Sequence, residues 1–342
     1  MSTPPTDSGH ASRIIGLWLL TICSMVFVMI VLGGFTRLTE SGLSITDWRP
    51  VTGWLPPLSD VAWQAQFDGY RTSPEYLKIN KGMSLSEFKE IFWLEYLHRL
   101  WGRIIGLAFA LPFAVFVYKR WVNKALMVRL AVLFTLGGLQ GVIGWWMVKS
   151  GLVDQPDVSQ YRLATHLLMA FLIIALGLWF ALDLLDAPRE DAPAYVRQLS
   201  SITVVVVFVT VFSGALVAGL NAGMVYNTFP LMLGAIFPSE GFQLSPWYKN
   251  FFEDIPTVQF DHRVLALTTF ALVSWVWWVC RAQGRDVRTR ANVLILAVCV
   301  QVMLGISTLL LVVPIGLAAM HQAGAVVLLA ASIWLRHSIR KD

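Results

Sequence analysis

The stretch EYLHRLWGRIIG, residues 95–106, places a Glu, a His and two Arg on the first turns of a helix whose continuation, residues 104–118, carries no charge. Charged groups at the entrance to an apolar phase cost free energy unless they are paired, hydrated or bound to something. The rest of the chain supplies that apolar phase. Of the 342 residues 56% are hydrophobic and only 14% charged, whereas soluble domains run at about one quarter charged. The composition reads as an all-α polytopic membrane protein. The net charge of +5 belongs to topology signals in short loops rather than to nucleic-acid binding. Cys23, Cys280 and Cys299 all lie in apolar runs, without metal or redox spacing, and read as small buried hydrophobes.

A membrane-spanning helix needs roughly 20 mostly apolar residues. Eight segments qualify: 14–36, 93–118, 128–148, 161–182, 201–221, 258–280, 291–313 and 317–336. KRWVNKALMVR (119–129), RAQGRDVRTR (281–290) and the C-terminal Arg336, Arg340 and Lys341 fall on one side if the helices alternate. That side is expected to be cytoplasmic, with both termini inside. Asp183, Asp186, Glu190 and Asp191 are a weak exception, since acids count little in this rule. Residues 1–13 read as a disordered cytoplasmic tail, without the pattern of a transit or signal peptide. The loops 37–92 and 222–257 are then outside, and most of the 15 Trp read as interfacial anchors.

The chain reads as two related halves, 14–185 and 186–342, each a four-helix bundle. GGFTRLTESGLSITDWRP (33–50) matches SGALVAGLNAGMVYNTFP (213–230), and EYLHR (95–99) matches QFDHR (259–263). LQGVIG (139–144) matches VQVMLGI (300–306), and ATHLLMA (164–170) matches AMHQAGA (319–325). With an even number of helices per half, the repeats are parallel and the pseudo-twofold axis runs along the membrane normal.

His98, His166, His262 and His321 each open an even-numbered helix, while His10 and His337 read as tail residues. Each of the four is expected about five residues, or roughly 7 Å, into its helix from the outer side. The repeat sorts them into two pairs, His98 with His166 and His262 with His321. Paired imidazoles facing each other in a four-helix bundle suit the axial ligation of haem iron. Zinc would want Cys or carboxylates to complete a tetrahedron. A haem also accounts for the charges of the opening stretch. Arg99 and Arg263 follow a ligand His, Arg103 lies four residues on, and Arg suits anionic propionates at an interface. Lipid headgroups are the plainer partners for the same three residues.

The halves differ where Glu95 aligns with Gln259 and Arg103 with Leu267. Glu95 lies three residues before His98, on the same helical face. A carboxyl in one half and an amide in its twin suggests that only the first half does acid/base or charge-stabilising chemistry. A salt bridge from Glu95 to Arg99 is the plainer reading.

The run E-x-x-H-R-x-x-G-R at 95–103, the motif TRLTESGLSITDW at 36–48, the second-half DHR and the four His resemble the haem A synthase family, bacterial and mitochondrial enzymes that make the haem of cytochrome c oxidase. The resemblance runs from GGFTRLTESGLSI to MHQAG. It implies that haem O is the substrate and haem A the product. A ring methyl is oxidised to a formyl group by two successive hydroxylations, with loss of water from the gem-diol. It implies that His98 and His166 hold the substrate haem, that Glu95 is the catalytic carboxylate, and that His262 and His321 hold haem b, which carries electrons away. Some members have a cysteine pair in the first outer loop. Residues 37–92 have none, so the chain resembles the cysteine-free class of alphaproteobacterial and mitochondrial members, and a bacterial inner membrane is expected. Haem O synthase, oxidase assembly factors, membrane lipid and a second copy of the chain are the partners the family brings to mind. The alternative is a di-haem b-type electron-transfer protein linked to quinol, which leaves the lone Glu95 unexplained. A haem-free transporter would need midplane polar residues, for which Gln140 and Gln301 are the candidates; both suit hydrogen bonds between helices better.

Overall fold

The computed structural model describes residues 6–49, 52–153 and 156–339. Eight of its helices are long and apolar enough to cross a membrane. They are α1 (Thr6–Leu38), α4 (Leu85–Tyr118), α5 (Lys124–Gly151), α6 (Gln160–Leu184), α7 (Ala194–Gly219), α9 (Ile255–Cys280), α10 (Arg285–Leu310) and α11 (Ile315–His337). Short helices α2 (Asp60–Tyr70), α3 (Pro74–Lys78) and α8 (Asn250–Glu253) lie in the two long loops. Several helices start earlier than their apolar runs, because a span's polar turns outside the membrane continue the same helix. The polar N-terminus is helical from Thr6, which corrects the expectation of a disordered tail to residue 13; residues 1–5, like Arg340 and Lys341, lie outside the described residues. His10 stands in α1 and His337 ends α11 with its side chain buried, so neither is a tail residue.

Contacts between helices exchange under interchange of the halves. α1 packs on α4 and α6 as α7 packs on α9 and α11, and α5 packs on α6 as α10 packs on α11. Between the halves, α1 meets α11, α6 meets α7, and α6 meets α11. Gln322 Nε2 donates to the Ile30 carbonyl across that seam at 3.0 Å.

Where a span breaks a backbone hydrogen bond, a side chain replaces it, as an apolar medium requires. Pro112 sits inside α4 and lacks the N–H that would bond to the carbonyl of Ala108. The Trp18 indole Nε1 donates to that carbonyl at 2.9 Å, so this Trp is an internal partner rather than an interfacial anchor. Two of the four acids around the α6–α7 connection are also paired off. Asp183 meets Arg129, Arg189 and His337, and Glu190 accepts from the first backbone N–H groups of α10 at Asp286 and Val287, where the helix dipole favours a carboxylate. They leave the positive bias of that end intact.

The first outer loop is a packed unit. Ser84 caps α4 in a capping box with Glu87, and α4 runs beyond the expected span, starting at Leu85 rather than 93. Those extra turns carry Phe88 and Phe92 into a buried aromatic cluster with Trp63, Phe67, Tyr70, Tyr76 and Tyr96. Trp63 is therefore core, not an anchor. Glu75 lies in this unit, 2% exposed, with Oε2 lacking a hydrogen-bond partner. Burial, followed by the negative charges of Glu95 and Glu40, pushes its carboxyl from 4.5 up to about 8. The folded loop thus keeps a proton that the unfolded loop releases near 4.5, and stability must fall as pH rises through that window. Thermal melts of the purified protein followed by Trp fluorescence should show the outer loop less stable at pH 8 than at pH 5. Glu75→Gln should flatten that dependence and raise the melting temperature at pH 8; an unchanged slope would contradict the assignment.

Candidate functional site

The four predicted histidines come together at the end of the bundle that carries the long loops. His166, His262 and His321 lie in the second turns of α6, α9 and α11, and His98 lies further into α4 because that helix starts outside the membrane. The His98 and His166 rings are near enough to interact electrostatically, and so are those of His262 and His321. The pairing follows the repeat.

Each ring lies against a glycine on a neighbouring helix. A Cβ built on Gly33 would stand 3.0 Å from His98 Cε1, and one on Gly144 2.9 Å from His166 Cε1. On Gly214 it would stand 2.9 Å from His262 Cε1, and on Gly305 2.8 Å from His321 Cε1. Real Cβ atoms essentially never approach as closely as at Gly144, Gly214 and Gly305, and at Gly33 the ring would have to give by a few tenths of an ångström, so glycine leaves the room these rings occupy. The Gln four residues before a Gly, noted in LQGVIG and VQVMLGI, completes the cradle. Gln140 Nε2 donates to the His166 carbonyl and Gln301 Nε2 to the His321 carbonyl, both at 3.0 Å. These glutamines do bond between helices. The cradles also set the register of the repeat. Gly33 corresponds to Gly214, and the left-handed residues Glu40 (φ 53°) and Asn221 (φ 51°) fall at the same offset. This shifts the alignment of GGFTR with SGALV by one residue and sets Leu32 opposite Ser213.

The donor set fits a haem in each half. Nδ1 of His98 and His166 is buried without a partner, the His321 ring faces the Gln301 backbone carbonyl, and Nε2 of all four carries no hydrogen bond among the described residues. Paired, otherwise unengaged imidazoles are what six-coordinate haem iron needs. No three of His, Cys, Asp and Glu converge as an ion site among the described residues.

Above His98 the polar residues form a clamp. Glu95 is 3% exposed. Its Oε2 accepts from Ser44 Oγ and from the Ile45 N–H, each at 2.7 Å, and its Oε1 accepts from Arg99 at 2.6 Å. The salt bridge to Arg99 is therefore present, and the carboxylate is held by three donors. Arg99 also donates to the carbonyls of Ile45 and Asp47. Arg103 donates to the Arg49 carbonyl and lies over the Trp54 ring. The motif TRLTESGLSI explains itself here. α1 ends at Leu38, Glu40 turns left-handed, and the Ser41 N–H bonds back to Thr36, which returns the chain so that Ser44 and Ile45 meet Glu95. Spacing within the motif gives Ser44 no role; its contact with Glu95 does.

The second half builds the same clamp with reversed polarity. Gln259 Nε2 donates to the carbonyls of Ala222 and Val225, and its Oε1 accepts from Arg263. Arg263 also donates to the carbonyls of Tyr226, Pro230 and Leu231. All three arginines thus anchor outer loops, and any propionate or headgroup shares them with loop carbonyls. A cleft of about 940 Å³ lined by Arg120, Arg129, Asp183, Arg189 and His337 opens at the other end of the helices, away from His98, His166, His262 and His321.

Residues 16–333 match the family described as cytochrome oxidase assembly protein. The chain is 52% identical to a protein named "Heme A synthase" from Nitrosospira multiformis, over 98% of this chain and 97% of that protein. It is 48% identical to one of the same name from Parvibaculum lavamentivorans, over 98% and 96%. It is 46% identical to "Heme A synthase COX15" of Arabidopsis thaliana, over 98% of this chain and 77% of that protein.

The glycine cradles are testable through haem content. Gly144→Ala and Gly305→Ala should displace His166 and His321 at an overpacking cost of about 1–3 kcal/mol and lower the haem bound per purified chain. Gly141→Ala, with nothing within 4 Å of the added Cβ, should leave haem content unchanged. Pyridine haemochrome spectra compare the three.

Proposed function

The chain belongs to the cytochrome oxidase assembly protein family that includes the haem A synthases, and from that membership we propose a division of labour between its halves. The protein is an oxidoreductase of the membrane that converts haem O to haem A, oxidising a ring methyl to a formyl group by successive hydroxylations. The relatives give no support to a quinol-linked electron carrier.

In this reading the N-terminal half, 14–185, holds haem O between His98 and His166. The C-terminal half, 186–342, holds haem b between His262 and His321. When bound, haem b supplies a one-electron acceptor for electrons leaving the substrate. The observation that carries the assignment is the Glu95 clamp: an anion in the first half, one turn from His98, and a neutral amide at the same place in the second. Ser44, Ile45 and Arg99 fix both carboxylate oxygens in advance, so no reorganisation is needed when charge develops nearby. A carboxylate has about four acceptor positions, and three are taken, leaving one on Oε1. There Glu95 faces the reacting methyl as the charge-stabilising or proton-accepting group, with Arg99 holding the carboxylate in place. Gln259 has no such basic position. Arg99, Arg103 and Arg263 orient the haems by their propionates while tying the outer loops down. The positive clusters at the end opposite the four paired histidines support a topology with both termini in the cytoplasm and the sites facing the outer side of a bacterial inner membrane. Haem O synthase and oxidase assembly factors meet the chain there or within the bilayer.

Glu95→Gln should lower conversion of haem O about 100-fold or more while haem b stays bound, as read by chromatography and mass of extracted haems. Ser44→Ala should lower it less, because Ile45 and Arg99 still hold the carboxylate. Loss of haem b with conversion retained in Glu95→Gln would reverse the roles of the halves.

A further inference from the structure

The two cradles differ in a way that separates a haem that stays from one that must leave. In the first half the buried Nδ1 of His98 and of His166 has no partner; in the second the His321 ring faces the Gln301 backbone carbonyl and only His262 meets a side-chain hydroxyl. Its Nδ1 lies 2.8 Å from Ser213 Oγ. Ser213 is 6% exposed, and its Oγ donates to the Thr210 carbonyl at 2.8 Å. A hydroxyl has one proton. With that proton on the Thr210 carbonyl, Oγ faces the ring as an acceptor, so Nδ1 carries the hydrogen and the Nε2 lone pair is free for iron. Ser213 immediately precedes Gly214, on which the ring rests.

The corresponding place in the first half is Leu32, before Gly33, which has no acceptor for His98. The difference extends along the same helix pair. Thr210 Oγ1 meets Thr269 Oγ1 at 2.8 Å between α7 and α9, where the repeat register places Met29 and Ile105 between α1 and α4. The second half has a hydroxyl seam beside its ligand; the first half has apolar packing.

We infer that Ser213 is a positioning residue that locks the ring plane and tautomer of His262 and thereby makes the second-half haem the non-exchanging one, whereas His98, unlocked, suits a haem that enters as substrate and leaves as product. The inference rests on the proposed placement of haem b in the second half. A donor hydrogen bond from Nδ1 also raises the basicity of the ligand nitrogen, which favours ferric over ferrous iron and lowers the midpoint potential.

The test uses the full-length detergent-purified protein, with transfer of haem b to apomyoglobin and a spectroelectrochemical titration as readouts. Ser213→Ala should release haem b about 10-fold faster or more, as expected for loss of an outer-shell partner, and should raise its midpoint potential. Ser213→Thr, which keeps the hydroxyl, should restore both. Release within twofold of the parent together with an unchanged potential would overturn the inference. A potential shift that Ser213→Thr does not reverse would also overturn it, by showing a packing effect. His321→Ala checks the underlying reading separately: loss of haem b upholds the second-half site, and retention of haem b overturns that site and the inference with it.

Discussion

A histidine ring can lie as close to the backbone of a neighbouring helix as these four do only where that helix presents no side chain in its way. Four such contacts, at Gly33, Gly144, Gly214 and Gly305, set the positions of four rings. Much else follows from them. The helices carrying the rings and those carrying the glycines must approach closely, which fixes the order α1–α4 and α5–α6 in one half and α7–α9 and α10–α11 in the other. Gln140 and Gln301 then find the carbonyls of the histidines themselves. In a membrane, where apolar burial does not drive helices together, close approach at small residues and hydrogen bonds between helices supply the association. The same residues therefore assemble the bundle and aim the four rings.

The opening stretch also finds its answer in pairing. Glu95, Arg99 and Arg103 enter the membrane region because each is bonded to the loop that descends over the site. A buried ion pair by itself is weak evidence of stability, since desolvation offsets its Coulomb energy. Here the pair is supplemented by Ser44 and the Ile45 N–H on Glu95 and by the Asp47 carbonyl on Arg99. The second half reaches the same mechanical result with a neutral amide and loop carbonyls. Two clamps of equal shape and different charge allow one fold to keep its architecture while confining a carboxylate to one site.

The outer loop illustrates a different balance. Its aromatic cluster buries enough apolar surface to order a segment that the sequence shows only as a long polar-aromatic connection, and it carries Glu75 inward with it. That carboxyl keeps its proton because the cluster excludes water and because Glu95 and Glu40 are close. The position of the loop over the first-half site is thus linked electrostatically to the residue that distinguishes that half.

The eight spans, the end holding the positive residues, the repeat, the two histidine pairs and the Glu95/Gln259 difference were all legible in the sequence, because each depends on composition or on spacing along one helix. Apolar length marks a span whatever surrounds it, and residues in repeat register keep their identity in print. The tertiary structure alone decided the rest. That Ser44 and the Ile45 backbone hold Glu95, that the repeat glycines are seats for rings, and that Ser213 bonds to His262 while Leu32 cannot bond to His98 are relations between helices and loops far apart in the chain. The extent of α4 beyond the membrane and the helical N-terminus belong to the same group, since an apolar run marks the depth of the bilayer and not the end of the hydrogen-bonded helix. Local pattern specifies which chemistry each element carries, and only the packed chain specifies which groups meet.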